Sequence, residues 1–201
     1  TAGGDALADL LSGDYSPSGH LTMSFPRCDG QIPIRYNYKS TGRPLTKEMD
    51  YTQSHKAKKN YQTCYLFTPN SPLYPFGYGL SYTQFSFTDL QVLDPEVAMG
   101  EDVRVKVRVT NVGEVPGTTV AQLYIRDKVA STTRPVRELK GFKKVFLEPG
   151  KRAVLEFEID RSSLAYFDEE KHDWVAEKGV FTAYVGSSSR NLHSKAQFEL
   201  K

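Results

Sequence analysis

Two suitably spaced acids suffice for general acid/base cleavage of a substrate bond, which makes the carboxylates the first residues able to do chemistry. Glu156 and Glu158 share the outer face of one expected strand, and Asp168-Glu-Glu170 sits in an expected turn, so both sets read as solvated groups. Histidines 20, 55, 172 and 193 are isolated, with no second ligand at helical or hairpin spacing, which points to surface or packing roles and no metal site. Neither Cys28 nor Cys64 has a histidine nearby in sequence. The two are compatible with one bridge or with two free thiols. Gly77-Tyr-Gly79 lacks a following lysine and is flanked by aromatics, so it reads as a packed turn and not a phosphate cradle. No catalytic site composes itself within this chain, and no cofactor is called for.

The elements that would position these groups fall into three stretches. Ala6, Leu7, Leu10 and Leu11 recur at three- and four-residue spacing, predicting a helix over 2–11 closed by Gly13, and Leu21 to Phe25 reads as a short strand. One helix and one strand cannot bury an apolar stripe between themselves, so residues 1–26 are expected to be the tail of a domain whose body lies elsewhere. From Arg27 to about Pro72 periodicity vanishes, with tyrosines at 36, 38, 51, 61 and 65 among polar residues; Lys56-Ala-Lys-Lys59 is a solvated basic run. A loop of this length is functional or disordered, and its aromatics argue that part of it packs on a neighbour.

Residues 84–201 read as all β. Val103, Val105, Val107 and Val109 alternate with Arg104, Lys106, Arg108 and Thr110, and Thr118 to Arg126 resumes as a strand with Ala121, Leu123 and Ile125 inward. The pair is expected to form a half-buried hairpin across Gly113-Glu-Val-Pro-Gly117. Further strands are expected at Phe85–Leu93, Glu138–Leu147 and Ala153–Ile159, with Val180–Val185 and Lys195–Leu200 as a closing hairpin. Tyr166 is expected to be buried and hydrogen-bonded to backbone in a short corner. About seven strands without a helix specify an immunoglobulin-like two-sheet sandwich.

Composition narrows the function classes. The chain has 201 residues, a net charge of +2 and 39% apolar residues, which argues against nucleic acid or an anionic membrane as partner. No apolar run is long enough to span a bilayer.

Three motif groups carry a resemblance. Gly13-Asp-Tyr-Ser-Pro-Ser-Gly19 with Met23-Ser-Phe-Pro26 comes first. Tyr36-Asn37, Ser40-Thr-Gly-Arg-Pro44 and Tyr74-Pro-Phe-Gly-Tyr-Gly-Leu-Ser-Tyr-Thr83 follow, then Arg134-Pro-Val-Arg-Glu-Leu-Lys-Gly-Phe142 and Gly186-Ser-Ser-Ser189. Together, in this order over essentially the whole chain, they resemble the C-terminal portion of family 3 glycoside hydrolases, most nearly the bacterial periplasmic β-glucosidase group. The resemblance implies a mainly β chain: a fibronectin type III-like sandwich at 84–201, preceded by a linker and aromatic junction at 27–83 and a remnant of an α/β sandwich domain at 1–26. It implies a periplasmic or secreted parent that hydrolyses terminal β-linked sugars by retaining double displacement. Both catalytic carboxylates would lie in N-terminal domains outside this chain, leaving it inactive alone, a brace for those domains or a contributor to a homodimer. Relatives often read Tyr-x-Ser-Arg-Tyr where this chain has Tyr61-Gln-Thr-Cys-Tyr65. Tyr61, Cys64 and Tyr65 are thereby implied at the rim of the leaving-group subsite, with a thiol replacing a guanidinium fork; the alternative is that they pack the loop on the sandwich. The rival reading is a freestanding sandwich for adhesion or carbohydrate binding, against which stands the presence of a single tryptophan, Trp174.

Overall fold

The computed structural model describes residues 2–44, 63–65 and 67–201. In chain order the elements are helix α1 (Gly3–Ser12), β1 (Phe85–Val92), β2 (Glu96–Val97), β3 (Val103–Asn111), β4 (Gly117–Asp127), β5 (Glu138–Leu147), β6 (Arg152–Ile159), helix α2 (Arg161–Leu164), β7 (Tyr166–Asp168), β8 (Asp173–Val175), β9 (Gly179–Gly186) and β10 (Leu192–Leu200). A single 3₁₀ turn lies at Asp29–Gln31.

The valine alternation does what its period dictates: all four valines of β3 are fully buried. The expected hairpin is nevertheless corrected. β3 does not pair with β4; it lies between β1 and β6 in a three-stranded antiparallel sheet, whereas β4 lies between β5 and β9 in the order β2-β10-β9-β4-β5. Residues 112–116 carry the chain across the interlayer. Five residues reach well over the roughly 10 Å that separates stacked sheets. The valines therefore face Ala121, Leu123 and Ile125 through the core instead of lying beside them, and Phe157, Phe181, Phe198 and Ile159 complete the same cluster.

Other strands fall where alternation places them: β6 pairs in register with β3, and β9 with β10 antiparallel. The structure holds ten strands among the described residues, not seven, because β2 and the β7–β8 ribbon are too short to show a period. It also has a helix in the sandwich, contrary to expectation. α2 is a single turn whose Asp160 accepts from the Ser163 amide at 2.8 Å, a side-chain cap that a hydrophobic pattern does not reveal. Hydrogen bonds from Ser163, its side chain foremost and its amide next, and then from Ser162 hold the Asp160 carboxyl below the usual aspartate range.

α1 forms as predicted and ends on Gly13 in the left-handed region, φ 88°. No residue of α1 is buried, and Leu7 and Leu11 are 56% and 76% exposed. The expected strand at Leu21–Phe25 is corrected to isolated bridges, His20 with Gly79 and Phe25 with Tyr74. Its backbone partners belong to the aromatic junction of the same chain: the Leu21 amide donates to Tyr78 O at 2.8 Å and the Gly77 amide to Leu21 O at 2.7 Å.

Candidate functional site

β4 is buried on both faces, which its alternation does not predict. Gln122 and Tyr124 point away from the core, yet they are 3% and 0% exposed. The cover is the junction. Tyr36 stacks on Phe76 with ring centroids 4.2 Å apart and meets Tyr124 edge-on at 6.0 Å. The Tyr36 hydroxyl accepts from the Leu139 amide at 3.2 Å. The Gln122 amide nitrogen donates to Gly77 O at 3.0 Å and to Ser187 O at 2.8 Å, while its oxygen accepts from the Tyr124 hydroxyl at 2.6 Å. Both amide hydrogens are thereby used, so the 3.4 Å approach of His20 Nδ1 is a packing contact; that nitrogen instead donates to Gly77 O at 2.6 Å. Burial and the neighbouring Tyr36 push the Tyr124 hydroxyl well above its ordinary range, so it remains a donor. Gly77 has φ 80°, and a Cβ there would sit 2.0 Å from the Gln122 oxygen, so only glycine fits this latch.

A second anchor lies further back in the loop. Gln31 is fully buried; its Oε1 accepts from the Arg27 amide at 2.6 Å, and its Nε2 donates to Pro69 O at 2.6 Å. It ties the turn at 27–32 to the chain entering the junction.

Of the predicted rim residues, Tyr61 lies outside the described residues. Cys64 is half-buried and Tyr65 is 37% exposed. Their segment is held by Asn70, whose side chain accepts from the Tyr65 amide at 3.0 Å and donates to Thr63 O at 3.0 Å. Thr63 also donates its amide to Arg43 O at 2.9 Å, within the Ser40–Pro44 motif. Cys28 and Cys64 are both free thiols, Cys28 on the surface.

The remaining candidates disperse. Glu156 pairs with Lys106 at 3.7 Å on the outer face of the small sheet. Asp168 accepts from the Glu170 and Lys171 amides and from Lys171 Nζ at 3.0 Å, so Lys171 holds its carboxyl below the usual range as a turn-forming group. His172 occupies a positive-φ turn position and His193 lies against Phe87, with ring centroids 4.9 Å apart; His55 and the basic run 56–59 lie outside the described residues. Among the described residues no three His, Cys, Asp or Glu side chains are grouped to hold a metal.

Tyr166 departs from expectation. It is half-buried, and its hydroxyl bonds side chains, Glu177 at 2.9 Å and Ser131 at 2.7 Å, instead of backbone. Glu177 also accepts from the Ser131 amide at 2.9 Å. These bonds, those of Ser131 foremost and that of Tyr166 after them, hold the Glu177 carboxyl below the usual glutamate range. A depressed carboxyl stabilises the fold above its unfolded pKa, roughly 4.3, and that contribution is lost as pH falls through the lower folded value. Glu177→Gln is expected to flatten the acid limb of stability against pH below about 4.3, read as thermal midpoints across a pH series. This clamp fixes the 131–134 loop beside an open cleft of about 830 Å³, which runs between that loop and the β7–β8 ribbon carrying Phe167 and Trp174. Sequence reasoning missed both the Gln122 latch and this cleft. The available signal for the latch was a glutamine and a tyrosine on the presumed wet face of β4 opposite a loop unusually rich in aromatics.

Residues 1–82 match the model of the glycosyl hydrolase family 3 C-terminal domain, and residues 119–189 match that of the fibronectin type III-like domain. A periplasmic β-glucosidase of Salmonella typhimurium is 44% identical over 201 residues, all of this chain and 25% of that protein. A β-xylosidase of Formosa agariphila is 39% identical over 93% of this chain and 24% of its own length. The crystal structure of the Listeria innocua β-glucosidase in complex with glucose superposes with a TM-score of 0.88 at 38% identity, covering 98% of this chain and 26% of that one. The chain thus spans about a quarter of the length of the relatives it matches. The chain belongs to glycosyl hydrolase family 3, as its C-terminal domain segment followed by a fibronectin type III-like domain.

Proposed function

We propose that this chain is the C-terminal portion of a retaining β-glucosidase-type glycosidase and acts as a structural brace for catalytic domains that precede it. The carrying observation is the match of all 201 residues, at 44% identity, to a quarter of a β-glucosidase. The exposed leucines of α1 support the reading, since Leu7 and Leu11 present an apolar stripe with no cover among the described residues. In this reading both catalytic carboxylates belong to the preceding domains, the substrate is a terminal β-linked sugar, and the divisions fall at 1–26, 27–83 and 84–201. The parent is periplasmic or secreted. No helix among the described residues is long and apolar enough to cross a membrane. A homodimer through the sandwich is compatible with this role. The test is turnover of an aryl β-glucoside by the parent polypeptide and by the 201-residue chain. Activity in the parent alone is expected; turnover by the chain alone overturns the reading.

Tyr61, Cys64 and Tyr65 are proposed to border the leaving-group subsite. The Asn70 clamp supports this, because it secures residues 63–65 to the loop itself and leaves Tyr65 partly open. A thiol offers one weak donor where an arginine offers a fork of five. Cys64→Arg in the parent is therefore expected to change kcat/KM among disaccharide linkages by about tenfold, near 1.4 kcal/mol of differential binding. Unchanged discrimination would assign these residues to loop packing.

A further inference from the structure

We infer that the cleft under the β7–β8 ribbon is a non-catalytic binding site for a neutral oligosaccharide. Phe167 and Trp174 are register partners across the ribbon, so they project from the same face, and their rings meet edge-to-face with centroids 5.9 Å apart. Neither is tucked inward: Phe167 is 49% and Trp174 62% exposed. Together they give the cleft a contiguous exposed aromatic wall, the kind of apolar surface that marks a ligand-binding groove.

The cleft beside them is built and not merely open. Its floor is Arg134, whose side chain is 6% exposed and pinned from several directions. The guanidinium donates to Leu164 O at 3.2 Å and to Glu138 at 3.1 Å, and lies over the Tyr166 ring at 5.2 Å. Lys140 approaches the same Glu138 carboxylate at 3.4 Å. The Glu177–Tyr166–Ser131 hydrogen bonds fix the opposite wall.

The lining chemistry selects the ligand class. Lys39, Arg134 and Lys140 face Glu138, Asp168, Glu169 and Glu170 along the cleft; Arg134 and Lys140 pair with Glu138, and Lys171 just outside the cleft pairs with Asp168, so no strong field of either sign remains for an ionic ligand. What remains are hydroxyls that donate and accept, ammonium groups that donate and carboxylates that accept, next to an aromatic edge and face. A pyranose has the complementary make-up: an apolar face of C–H bonds that lies against an aromatic ring, ringed by hydroxyls that donate and accept. An apolar peptide or lipid would leave the polar lining unpaired. The cleft lining includes none of residues 63–65, and its test requires no catalysis, so it stands or falls apart from the proposed activity.

Trp174 is the sole tryptophan, which makes its emission a direct reporter. Titrating the 201-residue chain with cellopentaose, laminaripentaose and xylopentaose is expected to give a saturable change in emission with at least one of them, with Kd near or below about 1 mM. Phe167→Ala, which keeps the reporter, is expected to weaken binding about three- to tenfold. Trp174→Ala, followed by calorimetry, is expected to abolish the heat while far-UV circular dichroism stays unchanged. No saturable response to any of the three, or equal affinity in both variants, overturns the site. A response confined to sulfated or phosphorylated saccharides overturns it too, because the balanced lining excludes them. So does Trp174 shielded from acrylamide quenching in the parent, which would make this face a domain contact.

Discussion

Gln122→Glu is expected to destabilise the fold by about 3–5 kcal/mol at neutral pH, although the two side chains have the same shape. The native amide faces two backbone carbonyls, Gly77 O and Ser187 O, and donates one hydrogen to each. A carboxylate has no hydrogen to give and would set a buried negative charge against both oxygens. Only the Tyr124 hydroxyl, which donates to the other oxygen at 2.6 Å, would still suit it. The new carboxyl therefore titrates above its unfolded value of roughly 4.3. In that case the folded state binds the proton more tightly, so stability relative to native falls as pH rises from about 4.3 through the raised folded pKa, and the deficit is smallest in acid. Urea denaturation at pH 5 and pH 8 checks both size and sign. A deficit independent of pH would show that residue 122 is not sealed by the junction.

Asn111→Ala is expected to cost about 3–4 kcal/mol, because this side chain anchors the start of the interlayer crossing. Asn111 ends β3, is fully buried and makes four side-chain hydrogen bonds. Its Oδ1 accepts from Thr83 Oγ1 at 2.6 Å and the Gly113 amide at 3.1 Å. Its Nδ2 donates to Val115 O at 2.8 Å and Leu147 O at 2.9 Å. One side chain thus joins the junction, the crossing loop and the end of β5, and alanine leaves those groups dry and unpaired. A lowered denaturation midpoint with an unchanged slope is the expected signature. Val112→Ala, one residue along at an exposed position, is expected to shift stability by less than about 0.5 kcal/mol. A loss of that size at Asn111 would mean that the crossing is held by packing alone.

The strands with one dry face were legible from sequence. A period of two needs only local information, so the valines of β3 and the Ala153–Ile159 alternation of β6 identified their inward sides correctly. Strand partnership was not. Whether a five-residue connection closes a hairpin or crosses between sheets depends on where the other strands sit, and neither alternative alters the alternation. β4 shows the same limit from the other side. Its polar-looking face is dry because a loop remote in sequence folds over it, and Tyr36 and Phe76, which do the covering, carry no period that announces their target. The rim segment is marked in the sequence only by its similarity to relatives, and the cleft beside Trp174 has no sequence signature because its walls come from three separated stretches.

By itself the sequence determined the two-layer β architecture, the helix closing at Gly13, and the family, since alternation, turn chemistry and motif order are all written along the chain. Tertiary structure alone decided which strands are neighbours, that Gln122 is a buried latch, and that Phe167 and Trp174 stand together at a cleft. The physical reason is range. Periodicity and turn preference act over a few residues, whereas a buried amide acquires its partners, and an aromatic pair its surroundings, only when segments 30 to 65 positions apart are brought into contact by burial of the common core.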